Sequence, residues 1–179
     1  MDALRRLYWP VYRDISEVQV FDDPEEDEEH SPKRPFLGHP LAKERVTNYS
    51  LTELLVGIGF QEEKECHTLD NDEYEDPKLL VKREDGGTIT IEDFVMQVHS
   101  FLLKHKEETL ELWDELLERV HENDIILFDY CATGGPQDLN NPNVDVHYTI
   151  ELKKSTTKYD ERYYRWKASR AERGLKGTD

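Results

Sequence analysis

The sequence predicts an α+β fold, in which helices pack on one face of a small antiparallel or mixed sheet. Three patterns support this class: helical spacing after residue 90, a hairpin signal at 79–90, and strict alternation at 144–153. We expect strands near 15–21, 79–83, 88–90, 124–130 and 144–154, and helices near 50–60, 91–104, 107–122 and 159–172.

The composition predicts one charged domain with extensions. The chain has 179 residues, of which 35% are charged and 36% hydrophobic, so we expect part of it to be solvated. The expected divisions are an N-terminal segment packing on the domain at 1–21, an acidic and proline-rich linker or long loop at 22–40, the α+β domain at 41–173, and a frayed tail at 174–179.

The charge is unevenly distributed along the chain. The formal net charge is -17, but residues 153–179 hold 9 Lys+Arg against 4 Asp+Glu. An acidic body disfavours nucleic acid and anionic membranes as partners, except for nucleic acid at the C-terminal basic helix. We expect a basic protein, or the basic surface of a complex, as the partner. Self-association is compatible with this interpretation.

The sequence lacks the patterns that usually indicate a metal site, a disulfide framework or a membrane span. Cys66 and Cys131 form neither a metal motif nor a disulfide framework, and no two histidines stand four residues apart. No apolar run approaches a membrane span, and no secretory leader follows Met1. We therefore expect a protein without cofactor or membrane contact, in the cytoplasm or the nucleus, with reduced thiols.

The N-terminal segment carries a cluster of large apolar side chains. A short helix over 2–9, ended by Pro10, would carry Leu4, Leu7, Tyr8 and Trp9. Trp9 is then either an anchor for a partner or part of the domain core, and the sequence leaves both open.

Two further segments have local signals. Residues 22–29 are almost wholly acidic, which is typical of a solvated loop or of a decoy for a basic partner. Ser50-Leu51-Thr52-Glu53 has the form of a capping box, which predicts a helix that ends at Gly57 and Gly59.

The central stretch, residues 88–133, contains no proline or glycine. Thr90 is a favourable N-cap with Asp93 three residues later, and apolar residues then recur at helical spacing. The pattern weakens at residues 104–108, so we predict two helices or one bent helix. The apolar run at 125–128 that follows predicts a strand buried on both faces.

A polar row lies on the predicted strand at 144–153. Side chains alternate there, so Asp145, His147, Thr149, Glu151 and Lys153 share one face. The row is either the solvated face of an antiparallel sheet or part of a catalytic site.

The catalytic interpretation rests on Glu151-Leu152-Lys153, an E-x-K sequence, with Asp129 on the preceding strand. The arrangement over residues 124–172 resembles the PD-(D/E)xK nuclease superfamily, although no proline–aspartate pair precedes Asp129. The resemblance implies a nuclease or phosphodiesterase that uses Asp129, Glu151 and Lys153 with Mg²⁺. Short motifs of this kind also occur by chance.

The predicted C-terminal helix interleaves aromatic and basic residues. Such side chains can stack on bases and contact phosphates, or pack on the sheet and offset the acidic body. The candidate binding residues there, in addition to Trp9, are Tyr159, Arg162, Tyr163, Arg165, Trp166 and Arg170. The sequence therefore supports first a non-enzymatic acidic interaction or adaptor protein, and second a metal-dependent nuclease.

Overall fold

The structure is a computed structural model that describes residues 3–21, 32–59, 77–116, 120–121, 124–133 and 147–154. It confirms the α+β class, with a three-stranded and a four-stranded sheet beside two α-helices. Among the described residues, neither helix is long and apolar enough to span a bilayer.

The smaller sheet is antiparallel and formed by the N-terminal third of the chain. Its order is β1 (Leu7–Tyr8), β2 (Gln19–Phe21) and β3 (Lys33–Pro35). The helix predicted over 2–9 is wrong, because a single 3₁₀ turn at Ala3–Arg6 leads directly into β1. The strand predicted over 15–21 is shorter, since residues 15–17 form a 3₁₀ turn.

Part of the expected linker at 22–40 is ordered. Residues 33–35 form β3, a 3₁₀ turn spans Pro40–Lys43, and Phe36 is fully buried. The acidic portion at 22–31 lies outside the described residues. The two ends of that portion are nevertheless held together, because Phe21 and Lys33 are directly opposed in the β2–β3 pair.

The main sheet has the strand order β5-β4-β7-β6. Its strands are β4 (Glu53–Ile58), β5 (Leu79–Lys82), β6 (Ile126–Thr133) and β7 (His147–Lys154). The β4–β7 pair is parallel and the other two pairs are antiparallel, so the sheet is mixed. The predicted strands at 124–130 and 144–154 are confirmed over 126–130 and 147–154.

The helix predicted over 50–60 is wrong, because residues 53–58 form β4. Leu54, Val56 and Ile58 are buried at alternate positions, which is the period of a strand. The capping-box pattern was local, whereas β4 pairs with a neighbour on each side. Gly59, expected to end a helix, instead approaches β7: a Cβ there would lie 3.2 Å from Thr149 Cγ2.

The hairpin predicted between 79–83 and 88–90 is also wrong. The strand at Leu79–Lys82 is present, but it pairs with β4. Residues 88–90 form no named strand, and Ile89 exchanges backbone hydrogen bonds with the preceding loop: its N–H donates to Leu51 O at 2.8 Å, and its carbonyl accepts from Val46 N at 3.1 Å. Ile89 and Ile91 therefore lie in the core, although residues 88–90 join neither of the two sheets.

The two central helices are confirmed as α1 (Ile91–Lys104) and α2 (Lys106–Leu116). The Thr90–Asp93 capping box is complete, with the Thr90 hydroxyl accepting from Asp93 N and the Asp93 carboxylate accepting from Thr90 N. The helices meet at His105, inside the break that the sequence predicts. Residues 117–119, where α2 was expected to continue, lie outside the described residues.

An aromatic cluster joins α1 to the sheet. Phe94 of α1 meets the rings of Phe128 and Tyr148 edge-on, with centroids 6.1 Å apart in both cases. Trp9 stacks on Phe128 at 4.5 Å and is fully buried. Several large aromatic side chains thus meet at one point, and such burial supplies much of the folding free energy of a domain.

The N-terminal segment connects the two sheets through main-chain hydrogen bonds. Phe128 N donates to Trp9 O, and Val11 N donates to Ile126 O, both at 2.9 Å. Residues 9–11 thus pair with the side of β6 that faces away from β7, immediately after β1 has paired with β2. The segment covers an edge of the main sheet that would otherwise expose unpaired backbone groups.

Candidate functional site

Two members of the polar row on β7, Thr149 and Glu151, are not solvated as one interpretation of the sequence expected, whereas Lys153 is half-buried. Thr149 and Glu151 are 4% and 9% exposed, nearly as little as Ile150 and Leu152 on the opposite face. β7 lies between β4 and β6, so its backbone is paired on both sides. The alternation predicted the strand correctly, but it did not predict that Thr149 and Glu151 are buried.

The structure brings Asp129 and Glu151 together. They are directly opposed in the antiparallel β6–β7 register, which places their Cβ atoms about 4.5–5.5 Å apart on one face. Lys153 stands two residues further along β7, opposite Leu127, so it follows Glu151 on the same face at about 7 Å. The three residues that carried the nuclease resemblance therefore share one surface of the sheet.

This arrangement can supply two carboxylates and one amine to a single ligand. Mg²⁺ is often held by only one or two protein carboxylates, with water and substrate phosphates completing its shell. In the described part of the chain, no group of three or more His, Cys, Asp or Glu side chains is placed to hold a metal ion. Within the described ranges, the carboxylates of Asp129 and Glu151 would be the protein ligands of such a cation, and water and substrate could complete its shell.

A buried ion pair next to this row escaped the sequence analysis. Lys154 is 9% exposed, and its Nζ lies 3.1 Å from Asp124 Oδ2. The pKa of Asp124 is lowered first by the hydrogen bond from His121 N–H and then by Lys154. The pair ties the end of β7 to the residues that precede β6. Its only signal in the sequence was a second lysine after Lys153.

The proposed binding residues have separate outcomes. Trp9 belongs to the core, and its Nε1–H donates to His99 Nδ1 at 3.3 Å. An anchoring role for Trp9 would require the N-terminal segment to leave the domain. The other candidates, Tyr159, Arg162, Tyr163, Arg165, Trp166 and Arg170, lie outside the described residues.

The acidity of the chain is concentrated in two connections. Residues 22–31 hold seven acidic and no basic side chains, and residues 60–76 hold eight acidic and one basic. The first segment joins β2 to β3, and the second joins β4 to β5. By contrast, the residues that the structure describes hold 14 Lys+Arg and 16 Asp+Glu. The described scaffold is therefore almost neutral.

Comparisons with known proteins identify no relative. No family model, no curated protein and no solved structure matches the chain.

Proposed function

We propose that this is a non-enzymatic interaction protein of the cytoplasm or nucleus, which binds a basic macromolecule through the acidic segments 22–31 and 60–76. The observation that carries the proposal is the concentration of charge. Fifteen acidic residues lie within these two segments, whereas the described scaffold is close to neutral.

The strand pairing explains how such segments can act as binding elements. Each connects two neighbouring antiparallel strands, so both of its ends are fixed to the same sheet. The seven carboxylates of the first segment and the eight of the second thus lie between strands that are paired with each other. Binding of a basic partner would release the counterions that are attracted to these carboxylates. The electrostatic attraction between the partner and the segment would extend over about a Debye length, roughly 8 Å at physiological salt.

Neutralising one segment is expected to weaken binding of a lysine-rich peptide by at least about tenfold, roughly 1.4 kcal/mol, because each segment provides about half of the concentrated charge. Neutralising both segments should reduce the affinity for the peptide to the affinity that the nearly neutral scaffold provides by itself. The variants replace every Asp by Asn and every Glu by Gln within 22–31, within 60–76, or within both. Fluorescence anisotropy with labelled poly-L-lysine at several salt concentrations measures the affinity.

A matched control separates concentrated charge from total charge. It replaces seven exposed glutamates of the scaffold by glutamine, the same number of charges as in residues 22–31: Glu17, Glu44, Glu53, Glu84, Glu92, Glu107 and Glu111. We expect this control to bind almost as tightly as the wild type. An equal loss in the control and the segment variants, or binding that persists unchanged in ~1 M salt, would refute the proposal.

The register of Asp129 and Glu151 favours a second candidate, a metal-dependent nuclease or phosphodiesterase. In that mechanism the carboxylates of Asp129 and Glu151 would hold Mg²⁺, which supplies Lewis-acid activation of a phosphodiester. Lys153, on the same face, would offset the phosphate charge and orient the attacking water. The opposed carboxylates carry this candidate, since they place the two required groups on adjacent strands.

If the second candidate is correct, Glu151→Gln will lower cleavage by more than about a hundredfold, because the change removes a metal ligand and keeps its shape. The assay measures cleavage of single- and double-stranded DNA and RNA with Mg²⁺ or Mn²⁺. Glu84→Gln, at an exposed position between β5 and α1, serves as the control. Absence of cleavage by the wild type, or equal cleavage by both variants, excludes this candidate.

A further inference from the structure

β4 and β5 present apolar side chains to solvent on the face of the main sheet that points away from the core. Leu55 of β4 and Leu80 of β5 are 38% and 43% exposed and are directly opposed in the register. Next to them, exposed Glu53 is opposed to exposed Lys82. We call these four residues the β4–β5 patch. The alternate residues Leu54 and Val81 point into the core and are buried.

The remainder of the same sheet face is different. Leu127, Thr149 and Glu151 also lie on the face away from the core, and all three are buried. The patch is therefore more open to solvent than the Leu127, Thr149 and Glu151 part of the same face. Its two leucines are neighbours across strands, so they form a continuous apolar surface rather than two isolated exposed residues.

The edge of the main sheet beside the patch is partly blocked. The Gln97 side chain of α1 bonds the backbone of Lys82 on β5: Gln97 Nε2 donates to Lys82 O at 3.0 Å, and Lys82 N donates to Gln97 Oε1 at 3.3 Å. The amide thus takes the place that an added strand would use. Addition of a further strand at this point of the β5 edge is therefore disfavoured, and the face remains available.

We propose that the β4–β5 patch binds the same patch of a second copy of this chain. The arrangement is self-complementary. A two-fold axis parallel to the strands, midway between β4 and β5, places Leu55 over Leu80 of the other copy and Glu53 over Lys82 of the other copy. Each dimer then contains two leucine contacts and two opposite-charge pairs.

Charge complementarity selects a second copy over other occupants. The patch holds one acidic and one basic side chain, so it favours neither a basic nor an acidic partner. Four side chains cover much less than the roughly 800 Å² per partner of a standard interface, so the dimer is weak. The net charge of -17 on each copy also opposes association, but screening at physiological salt limits that repulsion to about 8 Å.

Sedimentation equilibrium of the full chain, up to millimolar concentration at physiological salt, tests the proposal. We expect the apparent mass to rise with concentration for the wild type and to stay monomeric for Leu80→Asp. The matched control is Leu103→Asp, at an equally exposed leucine on α1, which should associate like the wild type. Circular dichroism verifies that each variant is folded.

Exchange of the charges at positions 53 and 82 is the most specific test of the proposed pairing. Glu53→Lys and Lys82→Glu, each alone, place like charges opposite one another and should weaken association at least about fivefold. A 1:1 mixture of these two variants, and the double exchange within one chain, should restore it, since opposite charges again meet. A wild type that stays monomeric throughout overturns the proposal, as does association that Leu80→Asp and the charge exchanges leave unchanged.

Discussion

Replacement of Trp9 by alanine is expected to lower the free energy of unfolding by about 3–5 kcal/mol, the usual cost of removing a large buried aromatic side chain. Trp9 is 0% exposed, and it stacks on Phe128 at 4.5 Å and meets Phe94 edge-on at 6.5 Å. Its removal would leave a cavity between β6 and α1, at the point where the N-terminal segment is attached.

Urea unfolding followed by circular dichroism measures this change. Trp9→Phe should cost less than Trp9→Ala, because it retains most of the ring contact and loses the hydrogen bond to His99. Leu103→Ala, at an exposed helical position, should change stability by less than about 0.5 kcal/mol. A loss below about 1 kcal/mol for Trp9→Ala would mean that the N-terminal segment is not part of the core.

Stability is expected to fall as the pH drops from neutral to about 5, partly through His99. Burial lowers the pKa of this imidazole below its ordinary value, and the Asp14 carboxylate opposes the shift. A lowered pKa in the folded state means that stability is fully present above the unfolded pKa of about 6.5 and is lost as the pH falls through the folded value. Protonation also removes the acceptor of the Trp9 indole N–H, which costs about 1–3 kcal/mol for a buried donor.

His99→Asn tests this contribution, because the amide oxygen can accept from the indole and does not titrate. We expect the difference in unfolding free energy between pH 7.5 and pH 5 to be smaller in His99→Asn than in the wild type. His121→Asn, at an exposed histidine, should leave that difference nearly unchanged. An identical pH dependence of the wild type and His99→Asn would show that another group is responsible.

Elements with strong local signals were predicted well. The central helices follow from a complete capping box and an apolar stripe at helical spacing, and both signals lie within the residues that form α1. The strand β7 follows from strict alternation. In both cases the local preference and the tertiary environment agree, so a short window of sequence contains enough information.

The secondary-structure predictions that were wrong concern segments in which the local sequence pattern and the tertiary contacts favour different structures. Residues 50–60 have a capping pattern and several adjacent apolar residues, which suit a helix or a strand buried on both sides. Pairing with β5 and β7 selects the strand. Likewise, the hairpin signal at 79–90 depended on neighbours in the chain, whereas the backbone partners of both halves come from residues 44–58.

The amino-acid sequence alone determined the α+β class, the central helices, the two acidic segments and the shared face of Glu151 and Lys153, since each depends on residue type and short-range periodicity. Only the tertiary structure decided that Asp129 opposes Glu151, that Trp9 is buried beside His99, and that Leu55 and Leu80 form an open patch. The physical reason is that strand register and burial arise from contacts between residues far apart in the chain, which local patterns do not encode.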